Sequence, residues 1–86
     1  MVSSQNISSL LRLRVVADAE PGAIARVLER FQNINVIPRR VVVEIGINNV
    51  MHIEVDVFGL TPASMTKLTA KIRESISVIR AHWHLV

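Results

Sequence analysis

The stretch Asp18-Ala19-Glu20-Pro21-Gly22-Ala23-Ile24-Ala25-Arg26-Val27-Leu28 joins an alternating apolar segment to an amphipathic one. Proline is favoured at the first helical position, because its φ is already helical and its missing N–H would have no acceptor there. Gly22 has no side chain, so a ligand can approach the first-turn amides closely. These amides lack intrahelical acceptors and lie at the positive end of the helix dipole, which favours a carboxylate. The stretch predicts a strand-to-helix corner. This corner is either an anion-binding site or an ordinary connection whose residues favour the start of a helix.

Length and composition restrict the class of protein. The chain has 86 residues, 50% of them apolar and 20% charged, which is typical of one globular domain. A domain of this size buries about 60–65% of its unfolded surface, so a partner would add stability. The absence of cysteine excludes disulfides and thiolate metal sites, and the net charge of +3 forms no basic block that would favour nucleic acid. No apolar run approaches the roughly 20 residues that span a bilayer.

The amino-terminal segment differs in composition from the rest of the chain. Residues 1–8 are rich in Ser, Asn and Gln, which predicts a flexible arm before a domain at 9–86. This segment has neither the basic nor the apolar region of a signal peptide, so the expected location is cytoplasmic.

Hydrophobic periodicity predicts six elements in the order β-α-β-β-α-β. Asn48-Asn49 is a turn signal between the second and third strands, since Asn tolerates positive φ. Thr61 is the expected N-cap of the second helix, with Pro62 at its first position. The predicted strands are 10–17, 36–47, 50–58 and 78–86, and the predicted helices run from Pro21 to about Asn33 and from Pro62 through Ile76.

This element order predicts an α+β, ferredoxin-like fold. Right-handed crossovers place two helices on one face of a four-stranded antiparallel sheet with strand order 4-1-3-2. Trp83 is expected in the core, with a partner for its N–H near the sheet edge. The residues expected to face the core include Ile24, Val27, Leu28, Phe31, Val41, Val43, Ile45, Met65, Leu68, Ile72, Ile76, Ile79, Ala81, Trp83 and Leu85.

The opposite sheet face carries charge. Arginines of the first strand are expected opposite carboxylates of the third, and such cross-strand pairs contribute about 0.2–1 kcal/mol each. This face is either bare to water or covered by another subunit. The residues that define it are Arg12, Arg14, Glu44, His52, Glu54, Asp56, Arg80, His82 and His84.

Other chemistry has weaker support in the sequence. His52 is expected about 9–10 Å from His82 and His84, too far for one metal ion, although a metal-responsive module through His82 and His84 stays an alternative. No serine is paired with a base by an evident motif, so the protein is not expected to be an enzyme. The central strands lack the exposed aromatic residues of an RNA-binding sheet. We therefore predict no metal, cofactor, nucleic-acid or membrane partner.

Residues 20–31 resemble the signature of the ACT domain. That signature is a strand, then Asp/Asn-x-Pro-Gly, then a helix reading x-Leu-Ala-Arg-Val-Leu with a Phe one turn on. Here it reads Glu20-Pro21-Gly22-Ala23-Ile24-Ala25-Arg26-Val27-Leu28, followed by Phe31. The resemblance covers about residues 9–86. The short length and the Thr61-Pro62-Ala63-Ser64 helix start are similar to the small regulatory subunits of acetohydroxyacid synthase, which starts branched-chain amino acid synthesis.

The resemblance implies a non-catalytic, allosteric role. ACT domains pair, and small effectors, often amino acids, bind at the interface. The implied ligand-binding residues are Asp18, Glu20, Pro21, Gly22, Ala23 and Ile24 of one copy, with Val36, Ile37 and Pro38 of its neighbour.

The sequence departs from the valine-sensing synthase subunits at two positions. Those subunits usually carry Asn three residues before the motif glycine and near the start of the second strand. Ala19 and Ile37 stand there in this chain, so Asp18 and Glu20 are the nearby groups left for an ammonium. Two hypotheses follow: a dimeric or larger regulatory subunit that activates or stabilises the large catalytic subunit, or a stand-alone ACT homodimer that senses an amino acid or another small ligand.

Overall fold

The computed structural model describes residues 9–86, and the predicted arm at 1–8 lies outside the described residues. The elements follow the predicted order. They are β1 Leu11–Asp18, α1 Pro21–Asn33, β2 Arg40–Ile45, a 3-10 turn at Ile47–Asn49, β3 Val50–Val57, α2 Pro62–Arg73 and β4 Val78–Leu85.

All strand pairs in the sheet are antiparallel, and the order is β2-β3-β1-β4. This is the predicted order 4-1-3-2 counted from the other edge, so the ferredoxin-like prediction is confirmed. The turn between β2 and β3 uses left-handed backbone at Asn48 (φ 62°) and Asn49 (φ 57°), as their sequence predicts. The Gly46 amide donates to the Val50 carbonyl at 2.6 Å and closes this hairpin.

The core lies between the sheet and the two helices. Alternate residues of β1 and β3 are almost completely buried, which is the two-residue period expected of strands with one covered face. On α1 the buried stripe is Ala23, Val27 and Phe31, while Ile24 and Leu28 are half-buried at its margin. The buried apolar residues are Leu11, Leu13, Val15, Ala17, Ala23, Val27, Phe31, Met51, Ile53, Val55, Val57, Leu60, Met65, Leu68, Ile72 and Ala81.

A β-bulge in β4 overturns one predicted core position. Val16 pairs with Arg80 but Ala17 pairs with Val78, so the register shifts by one residue at Ile79. Val78 therefore packs against the core, and Ile79 is 56% exposed.

The carboxyl-terminal half of β4 follows the predicted alternation up to its last residue. Ala81 is buried and Trp83 packs against the core. Trp83 Nε1 donates to Thr66 Oγ1 of α2 at 3.1 Å, which supplies the expected partner. Leu85 was predicted inward but is 60% exposed, because it lies at the end of an edge strand.

Strand β2 begins at Arg40, later than predicted. Asn35 has positive φ (60°) and ends α1, and Pro38 has no N–H for a ladder bond, so the residues between them run as an irregular connection. Val43 packs against the core as predicted, but Val41 is 40% and Ile45 65% exposed. The helical layer leaves these two side chains of the edge strand open.

Helix α2 ends at Arg73, so the prediction that it continues through Ile76 is wrong, and Ile76 is fully exposed. The amides of Glu74 and Ser75 donate three residues back and tighten the last turn. At the other end, Thr61 Oγ1 accepts the Ser64 amide at 3.1 Å, which confirms the predicted N-cap. Across residues 9–86, no helix is long and apolar enough to cross a membrane.

Candidate functional site

The β1–α1 corner lies where three connections of the chain meet at one end of the sheet. The Asp18 amide donates to the Ser77 carbonyl, at 2.8 Å, in the connection between α2 and β4. The Ala19 amide donates to the Asn49 carbonyl, at 2.9 Å, in the turn between β2 and β3. The backbone of the corner is therefore fixed from both sides before α1 begins.

Helix α1 starts without a side-chain cap. Glu20 is the N-cap residue, with extended backbone, and its side chain accepts no amide of the first turn. The Ala23 amide donates to the Glu20 carbonyl at 3.1 Å, and Ala23 is buried. Among residues 9–86, the Gly22 amide has neither a backbone nor a side-chain acceptor. The Gly22 amide is thus left without an acceptor, whereas the Ala23 amide already has one within the chain.

The Arg26 guanidinium lies over Gly22. A Cβ at position 22 would stand 2.9 Å from Arg26 Nη1 and 3.2 Å from Glu20 Oε1. Arg26 Nη2 donates to Glu20 Oε2 at 2.8 Å and to Ser77 Oγ at 3.1 Å. A side chain at position 22 would therefore displace the flexible end of Arg26 from this position.

The sequence analysis did not assign Arg26 to the site. Residues four apart lie on the same face of a helix, so the spacing of Gly22 and Arg26 was a signal that could have indicated Arg26. Ser77 could not be found in this way, because its contact with Arg26 depends on the connection between α2 and β4.

A groove of about 610 Å³ opens beside the corner. Two arginines, Arg26 and Arg30, line it together with acidic residues, so residues of both charges border the space that a zwitterion would occupy. The groove is lined by Asp18, Glu20, Arg26, Arg30, Glu74, Ser75, Ile76 and Ser77.

The second half of the predicted site lies elsewhere on the same chain. Val36, Ile37 and Pro38 line a separate groove of about 430 Å³ beyond the other end of α1. At 1.5 Å per residue, the nine residues from Gly22 to Phe31 separate the two ends by about 14 Å. One chain therefore does not bring these residues together with the corner. Ile37 is 89% exposed and is accessible to another molecule.

The open sheet face carries a second set of ion pairs. Arg12 holds Asp56 with two hydrogen bonds of 2.7 and 2.9 Å, as the predicted cross-strand pairing requires. Glu54 accepts a 2.5 Å hydrogen bond from Arg40 of β2 and lies 3.4 Å from Arg14. The hydrogen bonds from Arg12 lower the pKa of Asp56, and the hydrogen bond from Arg40 lowers the pKa of Glu54. These contacts tie three neighbouring strands together.

The histidines lie on the same face. The rings of His82 and His84 stack with centroids 6.2 Å apart, and His52 lies against Gly46. Within residues 9–86, no group of three or more His, Cys, Asp or Glu side chains has the geometry of a metal site.

Comparison with known proteins follows this geometry. The family model described as an ACT-like domain matches residues 3–86. The search of curated proteins finds no match. Among solved structures, the C-terminal domain of MgtC from Mycobacterium tuberculosis is similar with a TM-score of 0.76 and 19% identity, over 93% of this chain and 89% of that one.

Two further structures are similar over most of this chain. The ACT domain of GTP pyrophosphokinase from Chlorobium tepidum has a TM-score of 0.74 and 16% identity, over 88% of this chain and 97% of that one. The regulatory subunit of aspartate kinase from Thermus thermophilus has a TM-score of 0.72 and 9% identity, over 90% of this chain and 51% of that one. At these identities the likeness concerns the fold alone.

Proposed function

Because the chain belongs to the ACT-like domain family, we propose that it is a non-catalytic regulatory module whose effector binds at the β1–α1 corner between two copies. One observation carries the proposal: the corner already holds a carboxylate, that of Glu20, on Arg26 beside Gly22. An effector with a carboxylate would take the place of Glu20 and bind the same guanidinium.

The Glu20–Arg26 pair is suited to such an exchange. Its side chains are 44% and 48% exposed, and an ion pair exposed to this extent contributes only about 0–1 kcal/mol. The Arg26 Nη2 that binds Glu20 also donates to Ser77 Oγ, and this bond would keep the guanidinium in place when Glu20 leaves. Asp18 and the released Glu20 are then available for an ammonium group of the effector.

A second copy supplies the rest of the site in this proposal. Ile37 is exposed, and β2 is an edge strand with Val41 and Ile45 open to solvent. An exposed apolar edge is a pairing surface for another strand. Pairing along it would bury these side chains and bring Val36, Ile37 and Pro38 of the neighbour towards the corner.

An effector screen tests the binding step. In a thermal-shift screen against the amino acids and related carboxylates, we expect at least one to raise Tm, with Arg26→Gln abolishing the shift. For carboxylates without an ammonium group, Glu20→Gln weakens the competing intramolecular pair and should keep or increase the shift. Arg80→Gln, a charge change on the open sheet face, is the matched control. A shift that survives Arg26→Gln unchanged would contradict the proposed site.

The finer proposal is that the module is the small regulatory subunit of acetohydroxyacid synthase. The helix start at residues 61–64 and the short last strand from Val78-Ile79, which are similar to the ends of those subunits, support it. Purification of the tagged chain from its native cell should recover a thiamine-diphosphate-dependent large subunit. Recovery of the chain alone, together with an amino-acid hit in the screen, would instead favour the stand-alone sensor.

A further inference from the structure

A second groove lies on the helical face, away from the corner. It has a volume of about 620 Å³, which is within the range of small-molecule sites. Ile34 of α1, which is 46% exposed, supplies exposed apolar surface, and the nearly buried core residues Leu60 and Leu68 also line the groove. The groove therefore offers apolar surface that the folded chain does not cover.

Cations surround this apolar surface. Arg30 of α1 and Lys67 and Lys71 of α2 all line the groove. Among residues 9–86, none of the three forms an ion pair. Lys67 and Lys71 are four residues apart on one helix face, an arrangement in which like charges repel. A bound anion would relieve this repulsion.

The groups around the groove do not neutralise these cations. Glu29 lines a small hollow with Arg30 and Lys71, and Glu74 lines the corner groove with Arg30, but neither carboxylate is within ion-pair distance of them. A position in the last turn of a helix favours a cation and accounts in part for Arg30 and Lys71. It does not account for Lys67, which lies a turn earlier.

We propose that this groove binds a small anionic amphiphile, with the apolar chain on Ile34, Leu60 and Leu68 and the anionic head on Lys67 and Lys71. The apolar lining residues are complementary to the chain of such a molecule, and the unpaired cations are complementary to its head. Arg30 lines both grooves, but Lys67 and Lys71 do not line the corner groove, so the inference does not depend on the proposed effector site.

Titration with decanoate below its micelle concentration tests the proposal, monitored by calorimetry and by amide chemical shifts. Butyrate has the same head with a short chain, and decyltrimethylammonium has the same chain with the opposite charge. We expect decanoate to bind most tightly, since each buried methylene contributes about fourfold in affinity. The shift changes should fall at residues 30–34 and 60–71.

Variants assign the two parts of the site. The double variant Lys67→Gln, Lys71→Gln should weaken decanoate binding about tenfold or more, as expected for loss of bonds to a charged group. Ile34→Ser should weaken it as well, and this residue is exposed enough for the fold to be retained. Arg80→Gln, which removes a cation from the open sheet face, is the matched control and should have no effect.

Several outcomes would overturn the inference. They are no binding of decanoate, equal binding of the cationic amphiphile, or equal loss in Arg80→Gln and the lysine double variant. Displacement of decanoate only by an acidic, apolar peptide of much higher affinity would assign the groove to a protein partner instead. Glu20→Gln should leave decanoate binding unchanged, which separates this result from the test of the corner.

Discussion

The pairs Arg12–Asp56 and Arg26–Glu20 use the same two functional groups in opposite settings. On the sheet face, the Asp56 side chain is 4% exposed and accepts two hydrogen bonds from Arg12. At the corner, both partners are nearly half exposed and share one contact of 2.8 Å. The first pair is shielded and joined by two bonds, and the second is screened by water and joined by one.

The difference separates a structural ion pair from one that, in the proposed function, a ligand replaces. Among residues 9–86, removing Arg12 would leave the shielded Asp56 carboxylate with only a 3.5 Å contact to Arg40, so Asp56 is fixed by its surroundings. An exposed pair returns to water on opening and loses little. The two pairs therefore predict opposite responses to mutation.

The largest effect is expected from Asp56→Ala. The substitution removes both hydrogen bonds to Arg12 and should lower the free energy of unfolding by about 1–3 kcal/mol, because bonds to charged groups are among the strong ones. Urea unfolding of the variant and the wild type gives the difference. If Asp56→Ala costs no more than Glu20→Ala, burial does not distinguish the two pairs.

Low pH should reduce the stability of the fold through the ion pairs of the sheet face. The pKa values of Asp56 and Glu54 are lowered in the fold from the unfolded values of 3.8 and 4.5. The unfolded chain therefore binds more protons as pH falls. The stability from these groups is complete above the unfolded values and is lost as pH drops through the folded ones. As the pH is lowered below about 4, the urea concentration at the midpoint of unfolding should decrease. The decrease should be less steep in Asp56→Asn. Parallel curves for wild type and variant would contradict this assignment.

An intermediate loss of stability is expected from the cap at the start of α2. Thr61→Ala removes the only side-chain cap found at a helix start within residues 9–86, and should cost about 1 kcal/mol. Thr61→Ser keeps the acceptor and is the control. A loss in the serine variant as large as that in alanine would show that the methyl group, not the hydroxyl, stabilises the start of α2.

The smallest change in stability is expected from Glu20→Gln. The side chain caps no amide and its ion pair is exposed, so the free energy of unfolding should change by less than about 0.5 kcal/mol. Urea unfolding at low and high salt checks this. A loss as large as that of Asp56→Ala would mean that the corner pair holds the fold and is not available to an effector.

Much of the fold could be predicted because the alternation of apolar residues in strands, and their spacing in helices, indicates which side chains are buried. The errors occur where two arrangements satisfy the same pattern. Val78 and Ile79 are adjacent, apolar and β-branched, so alternation alone does not indicate which one faces the core across the bulge. Ile76 continues the spacing of α2, but the helix ends earlier because the chain must turn to bring Ser77 beside Asp18.

The candidate site was predictable to the level of the backbone. The Pro21-Gly22 pair indicates a helix start that a ligand can approach, and this follows from local chemistry. The position of the Arg26 side chain depends on Glu20 and Ser77 together, and Ser77 lies 51 residues away in the chain. Contacts of this kind follow from the tertiary fold and leave no local signal.

The bulge at Ile79 also has a consequence for how many chains can associate. An extra residue twists an edge strand and interrupts the row of amides and carbonyls that another strand would need. The bulge makes β4 a poor edge for pairing with another strand, so further strands would add to the sheet at β2. Two molecules joined there would leave only bulged margins outside, so the assembly would stop at a closed pair and would not extend into a fibre.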